Sequence, residues 1–273
     1  MSIGPDAARY LLAAQGVPVP RPFHLRWLLP EVCGEHVHLW RRVWLASWPV
    51  MAVAMFLWRL GSGDGWQVAL AASALLLALP GILGPSAVIP VGVDLPATAL
   101  TLVGCALWSL DHTGAQIASV VVVMWAAAIK ETAPVFAALW LWTPVPLIAL
   151  VVVAVRAIVA KPGPDPLGPR FQLIADHPFA TAWEAHRHQW RDALVMVAPW
   201  GVCLAALHDP SPQVLVVLLV AYAQLIVATD SVRLYQHAAG PVMAMTAAQV
   251  IPLAWLPLAV VVHVVWWRKP ERV

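Results

Sequence analysis

The sequence predicts an all-α protein, a polytopic bundle of transmembrane helices, and three observations predict it. Of the 273 residues, 61% are hydrophobic and 11% are charged. The mean hydropathy of +0.77 lies far above that of an ordinary water-soluble chain. The apolar residues fall into runs of roughly 11 to 27, broken by tight polar or Pro/Gly-rich turns.

On that rule the spans are expected at residues 43–60, 66–83, 95–110, 115–129, 133–143, 145–160, 193–208, 213–229 and 241–267, nine in all with a range of eight to ten. Turns such as Gly61-Ser62-Gly63-Asp64-Gly65, Asp111-His112-Thr113-Gly114 and His208-Asp209-Pro210-Ser211-Pro212 make antiparallel neighbours. The fifth and sixth segments have a second reading, one bent re-entrant element bounded by Lys130-Glu131 and Thr143-Pro144-Val145-Pro146. The whole chain, 1–273, reads as a single membrane domain. Residues 1–42 form an extramembrane stretch with interfacial helices, 43–160 a first span group, 161–192 an interfacial loop, and 193–273 the last three spans and a basic tail.

With nine crossings, 1–42, 161–192 and 229–240 lie on one side of the bilayer together with Pro90–Asp94 and Lys130-Glu131. That face carries nearly all the charged and His side chains, so a catalytic or binding surface is expected there. Within it Phe23, Leu25, Trp27 and Leu28 alternate with His24 and Arg26, and Trp183, His186, Trp190 and Ala193 recur at near-helical spacing, as in helices lying in an interface. The Ala-rich stretch 67–78 is the sort of small-residue face that mediates helix association.

The formal charge of +2, with no basic stripe interleaved with aromatics, excludes a nucleic-acid partner. Cys33, Cys105 and Cys203 are too dispersed for a disulfide framework or a zinc site. The pairs His36/His38 and His186/His188 are spaced i, i+2, which does not put two ligands on one helix face, and no metal site is expected from them. The first forty residues hold charges and no long apolar core, so no cleavable signal is expected.

Ionisable residues at span edges are costly unless paired, hydrated or functional. Four segments carry them: Asp6-Ala7-Ala8-Arg9-Tyr10-Leu11 followed by Pro22-Phe23-His24-Leu25-Arg26; Pro90-Val91-Gly92-Val93-Asp94-Leu95-Pro96; Ala128-Ile129-Lys130-Glu131-Thr132; and Thr229-Asp230-Ser231-Val232-Arg233-Leu234-Tyr235. Each has a plainer alternative. Asp6 would belong to a frayed terminus, Asp94 would cap the third span, Lys130 and Glu131 would form a solvated pair, and Arg233 would snorkel.

In this order the runs "DAARYLLAAQG…PFHLRWLLP", "VDLPATALTL", "AAIKETAPVFAALWLW" and "TDSVRLYQHAAGPVM" resemble the polytopic glycosyltransferases of the GT-C superfamily. The resemblance implies transfer of a sugar from a polyprenyl-phosphate carrier to an acceptor at the extracytoplasmic face of a cell membrane, with the bacterial inner membrane the expected location. It implies that Asp6 is the catalytic acid, serving as base or holding a divalent metal. Arg26, Lys130 and Arg233 match positions that present cations to the lipid phosphate, with Asp94, Glu131 and Asp230 completing the substrate-binding set. A carboxylate deprotonates an acceptor hydroxyl, and Arg and Lys stabilise charge on the departing phosphate. The family carries a span ahead of the acid-bearing loop, so a chain beginning almost at that acid is expected to be a reduced member or to have its start upstream.

The charged face holds about twelve of the sixteen Lys and Arg, which the positive-inside rule would assign to the cytoplasm, whereas lipid-linked sugar chemistry assigns it outside. The outside assignment is adopted because phosphate-binding loops need cations on either side. Two other functions make different predictions. A non-catalytic scaffold predicts scattered acids and an exposed small-residue face; a small-solute transporter predicts ionisable residues at mid-membrane and an internal repeat.

Overall fold

The structure is a computed structural model that describes residues 5–83, 91–167, 177–187, 197–226, 232–258 and 260–261. It is all-helical, with no strand among the described residues. The helices are α1 (Pro5–Ala14), α2 (Leu28–Cys33), α3 (Val37–Gly61), α4 (Trp66–Ala78), α5 (Asp94–Trp108), α6 (Thr113–Ile129), α7 (Ala133–Leu141), α8 (Leu150–Val159), α9 (Pro178–His186), α10 (Pro212–Ala223) and α11 (Val232–Val250). Tight 3-10 turns at Phe23–Leu25, Val145–Ala149, Ala198–Leu207, Gln224–Ile226 and Leu253–Trp255 join or extend them.

Among the described residues one helix, α3, is long and apolar enough to cross a membrane; α4, α5, α6, Val145–Val159, Ala198–Leu207 and Pro212–Ile226 are shorter apolar helices. At 1.5 Å per residue the 25 residues of α3 reach about 37 Å, whereas the nine of α7 reach only about 14 Å. The fifth segment therefore ends sooner than expected. Trp142 takes a left-handed conformation (φ 53°, ψ 41°) after Leu141, and the chain turns there into Val145–Ala149 and α8.

The bounds of the first and last apolar helices also differ from the sequence reading. The first apolar helix starts at Val37 rather than at 43, because Arg41 and Arg42 lie on its exposed side and do not interrupt it. The last begins at Val232, well before 241, and ends at Val250 where Ile251-Pro252 breaks it. Pro241 sits inside that helix, where it withdraws one backbone donor. Buried Gln236 ties the same helix sideways: its amide donates to the Pro199 carbonyl at 2.7 Å, and its carbonyl accepts from the Gly81 N–H.

The main core is built from α3, α4, α5, Ala198–Leu207, α10 and α11, around Met51, Met55, Leu75, Leu102, Trp200 and Tyr235. The Ala-rich face of α4 is spent inside it: Ala69, Ala71 and Ala72 are buried against neighbouring helices. Gly104 lets α5 approach α6 closely, since a Cβ there would stand 2.7 Å from Val123 Cγ2. A second core, of Ala7, Tyr10, Phe23, Leu29, Trp40, Val93 and Ile129, roofs one end of the bundle. It fixes α1 and the 23–33 segment over the start of α5 and the end of α6.

The outer ridges are apolar. Ile117, Val121 and Trp125 on α6, Val53 and Leu57 on α3, Val151, Val155, Ile158 and Val159 on α8, and Leu215 and Leu219 on α10 are all exposed. Spaced three or four residues apart, each set forms one continuous helix face.

Candidate functional site

Under the roof formed by α1 and the 23–33 segment, charged residues from six separate stretches of chain come together. Asp94 is the first residue of α5 and is buried, but it does not cap that helix; Val93 occupies the cap position. Its carboxylate instead lies between two cations. Lys130 Nζ bonds Oδ1, and Arg233 Nε stands 3.2 Å from Oδ2. Arg233 Nη2 also reaches Asp6 Oδ2, at 3.7 Å.

Lys130 follows α6 in an extended conformation (φ −148°, ψ 120°), and Lys130 and its neighbour Glu131 reach different partners. They do not form the solvated pair of the plainer reading. Lys130 is buried against Asp94, while Glu131 accepts a two-pronged bond from Arg26, Nε to Oε2 at 2.8 Å and Nη2 to Oε1 at 2.7 Å. Arg26 Nη1 donates to the Tyr10 hydroxyl at 2.9 Å. Burial alone would raise the Glu131 pKa, but the Arg26 guanidinium holds it below the ordinary carboxylate value. The predicted alternation of residues 23–28 is therefore corrected: Phe23 and His24 are both buried, and Arg26 is turned into the protein instead of toward solvent.

Asp6 lies in the first turn of α1, where a carboxylate is favoured by the helix dipole. Its side chain is 50% exposed, the most open member of the network, and it accepts from Arg9 Nη1 at 3.0 Å. Six of the seven expected site residues, Asp6, Arg26, Asp94, Lys130, Glu131 and Arg233, thus belong to one region. The seventh, Asp230, lies outside the described residues, as do Trp190 and Ala193 of the second interfacial pattern. Trp183 is exposed on α9.

Three participants, Arg9, Asp165 and His237, carried no individual assignment from the sequence. Arg9 sits i+3 from Asp6, a spacing that does signal a helical ion pair. Asp165 pairs with Arg9 and has no sequence signal within its Pro/Gly-rich stretch. His237 lies one turn beyond Arg233 on α11, and its Nδ1 stands 2.8 Å from Thr98 Oγ1. Beside Lys130, a small cleft lined by Thr98, Thr101, Thr132, His237, Phe136 and Trp140 opens between α5, α7 and α11. Thr132 Oγ1 and His237 Nε2 have no hydrogen-bond partner among the described residues.

Lys130 and Arg233 share the buried carboxylate of Asp94, and Arg233 also reaches the half-exposed Asp6 at 3.7 Å. An incoming oxyanion would meet two cations in a partly dry setting, where charge-assisted bonds are strongest. Among the described residues no three His, Cys, Asp or Glu side chains stand together as a metal-holding group.

No protein-family model, curated protein or solved structure matches the chain. The likeness to GT-C enzymes rests on the motifs alone.

Proposed function

We propose that this chain is a multi-pass cell-membrane protein of GT-C type that transfers a sugar from a polyprenyl-phosphate carrier to an acceptor hydroxyl at the extracytoplasmic face. The observation that carries the reading is the meeting of Asp6, Asp94, Lys130 and Arg233, drawn from positions up to 227 residues apart, with two cations on one buried carboxylate and one open carboxylate beside them.

The bilayer assignment rests on the distribution of polarity, and the nine crossings on the apolar runs of the sequence. The exposed ridges of α3, α6, α8 and α10 are apolar, and the ion pairs of Asp6, Arg26, Asp94, Lys130, Glu131 and Arg233 gather under the roof, with Arg59–Asp64 at the far end of α3. Gathered acids and a buried Ala-rich face on α4 favour an enzyme over a scaffold, which calls for scattered acids and an exposed small-residue face.

In this reading Lys130 and Arg233 bind the carrier phosphate. Asp6 removes the proton from the acceptor hydroxyl as its oxygen forms a bond to the anomeric carbon. The bond from that carbon to the phosphate oxygen breaks, and the electron pair leaves with the phosphate, whose added charge the two cations stabilise. Asp94 holds both cations in place. Thr132 and His237, lining the cleft beside Lys130, are available to hydroxyl groups of the ligand.

Orientation tests the proposal. Asp6→Cys and Lys161→Cys, each placed in a variant lacking the three buried native cysteines, are treated with an impermeant thiol reagent in intact cells. Residue 161 is exposed, whereas Asp165 in the same stretch is buried and would be a poor reporter. Labelling at both positions is expected. Protection of both until the cells are permeabilised would put the charged face in the cytoplasm and replace the transferase reading with the scaffold or transporter.

A further inference from the structure

The 161–167 stretch is fastened to the N-terminal segment at three points. Asp165, with 1% of its side chain exposed, accepts from Arg9 Nε at 3.1 Å and from Arg9 Nη2 at 2.8 Å, both on Oδ2. Its other oxygen accepts from the Leu167 N–H at 3.0 Å, so both carboxylate oxygens are engaged. The Gly163 N–H donates to the Val19 carbonyl at 3.0 Å. Gly163 also lies so close to Pro18 that a Cβ would stand 2.4 Å from Pro18 Cβ and 2.9 Å from its carbonyl carbon. The guanidinium so held directs Nη1 away from Asp165, and that nitrogen donates to Asp6 at 3.0 Å. Phe23 covers the guanidinium face, 4.9 Å from ring centroid to Arg9 Cζ.

We infer that Arg9 is a positioning residue for Asp6 and that Asp165 aims it, so that the 161–167 strap, remote in sequence, is a working part of the site. A buried guanidinium bonded through Nε and Nη2 to one carboxylate has its plane and its remaining nitrogen fixed, and here that nitrogen faces the one open acid of the network. A simple tie between strap and α1 needs only the Arg9–Asp165 pair. The bond to Asp6 is additional, and it makes the direction of the pair matter. The inference takes its significance for catalysis from the transferase reading, but the arrangement itself is tested without any transfer assay.

The test uses Asp6→Cys in the variant lacking native cysteines, in isolated membranes, and compares its rates of modification by anionic sulfonatoethyl and cationic trimethylammonioethyl methanethiosulfonate. A cation fixed beside residue 6 favours the anionic reagent. Asp165→Asn, which leaves Arg9 present but no longer aimed, is expected to lower the anionic-to-cationic rate ratio several-fold. The exchange Arg9→Asp with Asp165→Arg rebuilds the tie with its polarity reversed and is expected to lower the ratio about tenfold or more. Val19→Cys, buried under the strap, reports docking in parallel and is expected to stay protected in the exchanged protein. A ratio unchanged within about twofold in either variant, with Val19→Cys still protected, would overturn the inference and leave Arg9 as a structural tie. If wild-type protein shows the expected ratios but no sugar transfer, the transferase reading falls and the positioning of residue 6 by Arg9 stands.

Discussion

Glu131→Gln removes half of a partly buried ion pair while keeping its shape, and the structure sets the size of the effect. The wild-type carboxylate takes two bonds from Arg26, at 2.8 and 2.7 Å, with the two side chains 15% and 19% exposed. Stranding a buried charge costs about 3–5 kcal/mol. The amide of Gln keeps one acceptor oxygen, and residual solvent contact softens the loss, so a destabilisation of about 2–3 kcal/mol is expected. Replacing both partners, Arg26→Met with Glu131→Met, removes both charges together and should come within about 1 kcal/mol of wild type, less the bond that Arg26 gives Tyr10. Equilibrium unfolding in detergent, run as a double-mutant cycle, measures both, and a coupling of about 2 kcal/mol or more is expected. A loss below about 0.5 kcal/mol for Glu131→Gln, with no coupling, would show a screened surface pair and refute the buried network.

Other outcomes follow from the same geometry. Because the folded-state pKa of Glu131 lies below its ordinary value of 4.5, its contribution to stability is fully present above that value and is lost as pH falls through the folded pKa. Unfolding measured against pH should show that acid-side loss in wild type and a reduced loss in Glu131→Gln. Gly104→Val should destabilise by about 1–3 kcal/mol by forcing α5 away from Val123, seen in the same unfolding assay. Lys130→Met removes one of the two cations held by Asp94 and should weaken binding of a polyprenyl-phosphate analogue about tenfold or more in a filter or calorimetric assay.

Helix was legible throughout because apolar runs of this length leave the backbone no other way to satisfy its hydrogen bonds in an apolar setting. The ends were less legible. Counting polar residues cut α3 short at Arg41-Arg42, although a helix carries two arginines on its outer face without cost, and Gly240-Pro241 looked like an entry to a span although α11 runs through it. The charged site was readable for a related reason: in a chain with 11% charged residues, each acid or base at the mouth of an apolar run is conspicuous. Their partners were not. Lys130 and Glu131 are adjacent in sequence but pair with Asp94 and Arg26, 36 and 105 positions away. Asp165 carries no local pattern at all, and only tertiary contact with Arg9 gives it a role. His237 lay within a quoted motif, but a His on an apolar helix declares itself only through its neighbours, here Thr98 and the cleft beside Lys130.

The proposed role of Asp6 and the cations around Asp94 is tested by transfer of radiolabelled sugar from a series of polyprenyl-phosphate sugars by the full chain in proteoliposomes, wild type against Asp6→Asn. Turnover by wild type is expected, with a loss on the order of a hundredfold or more in Asp6→Asn, as removal of a general base requires. Turnover equal in the two proteins, or none in wild type with any donor of the series, would contradict it.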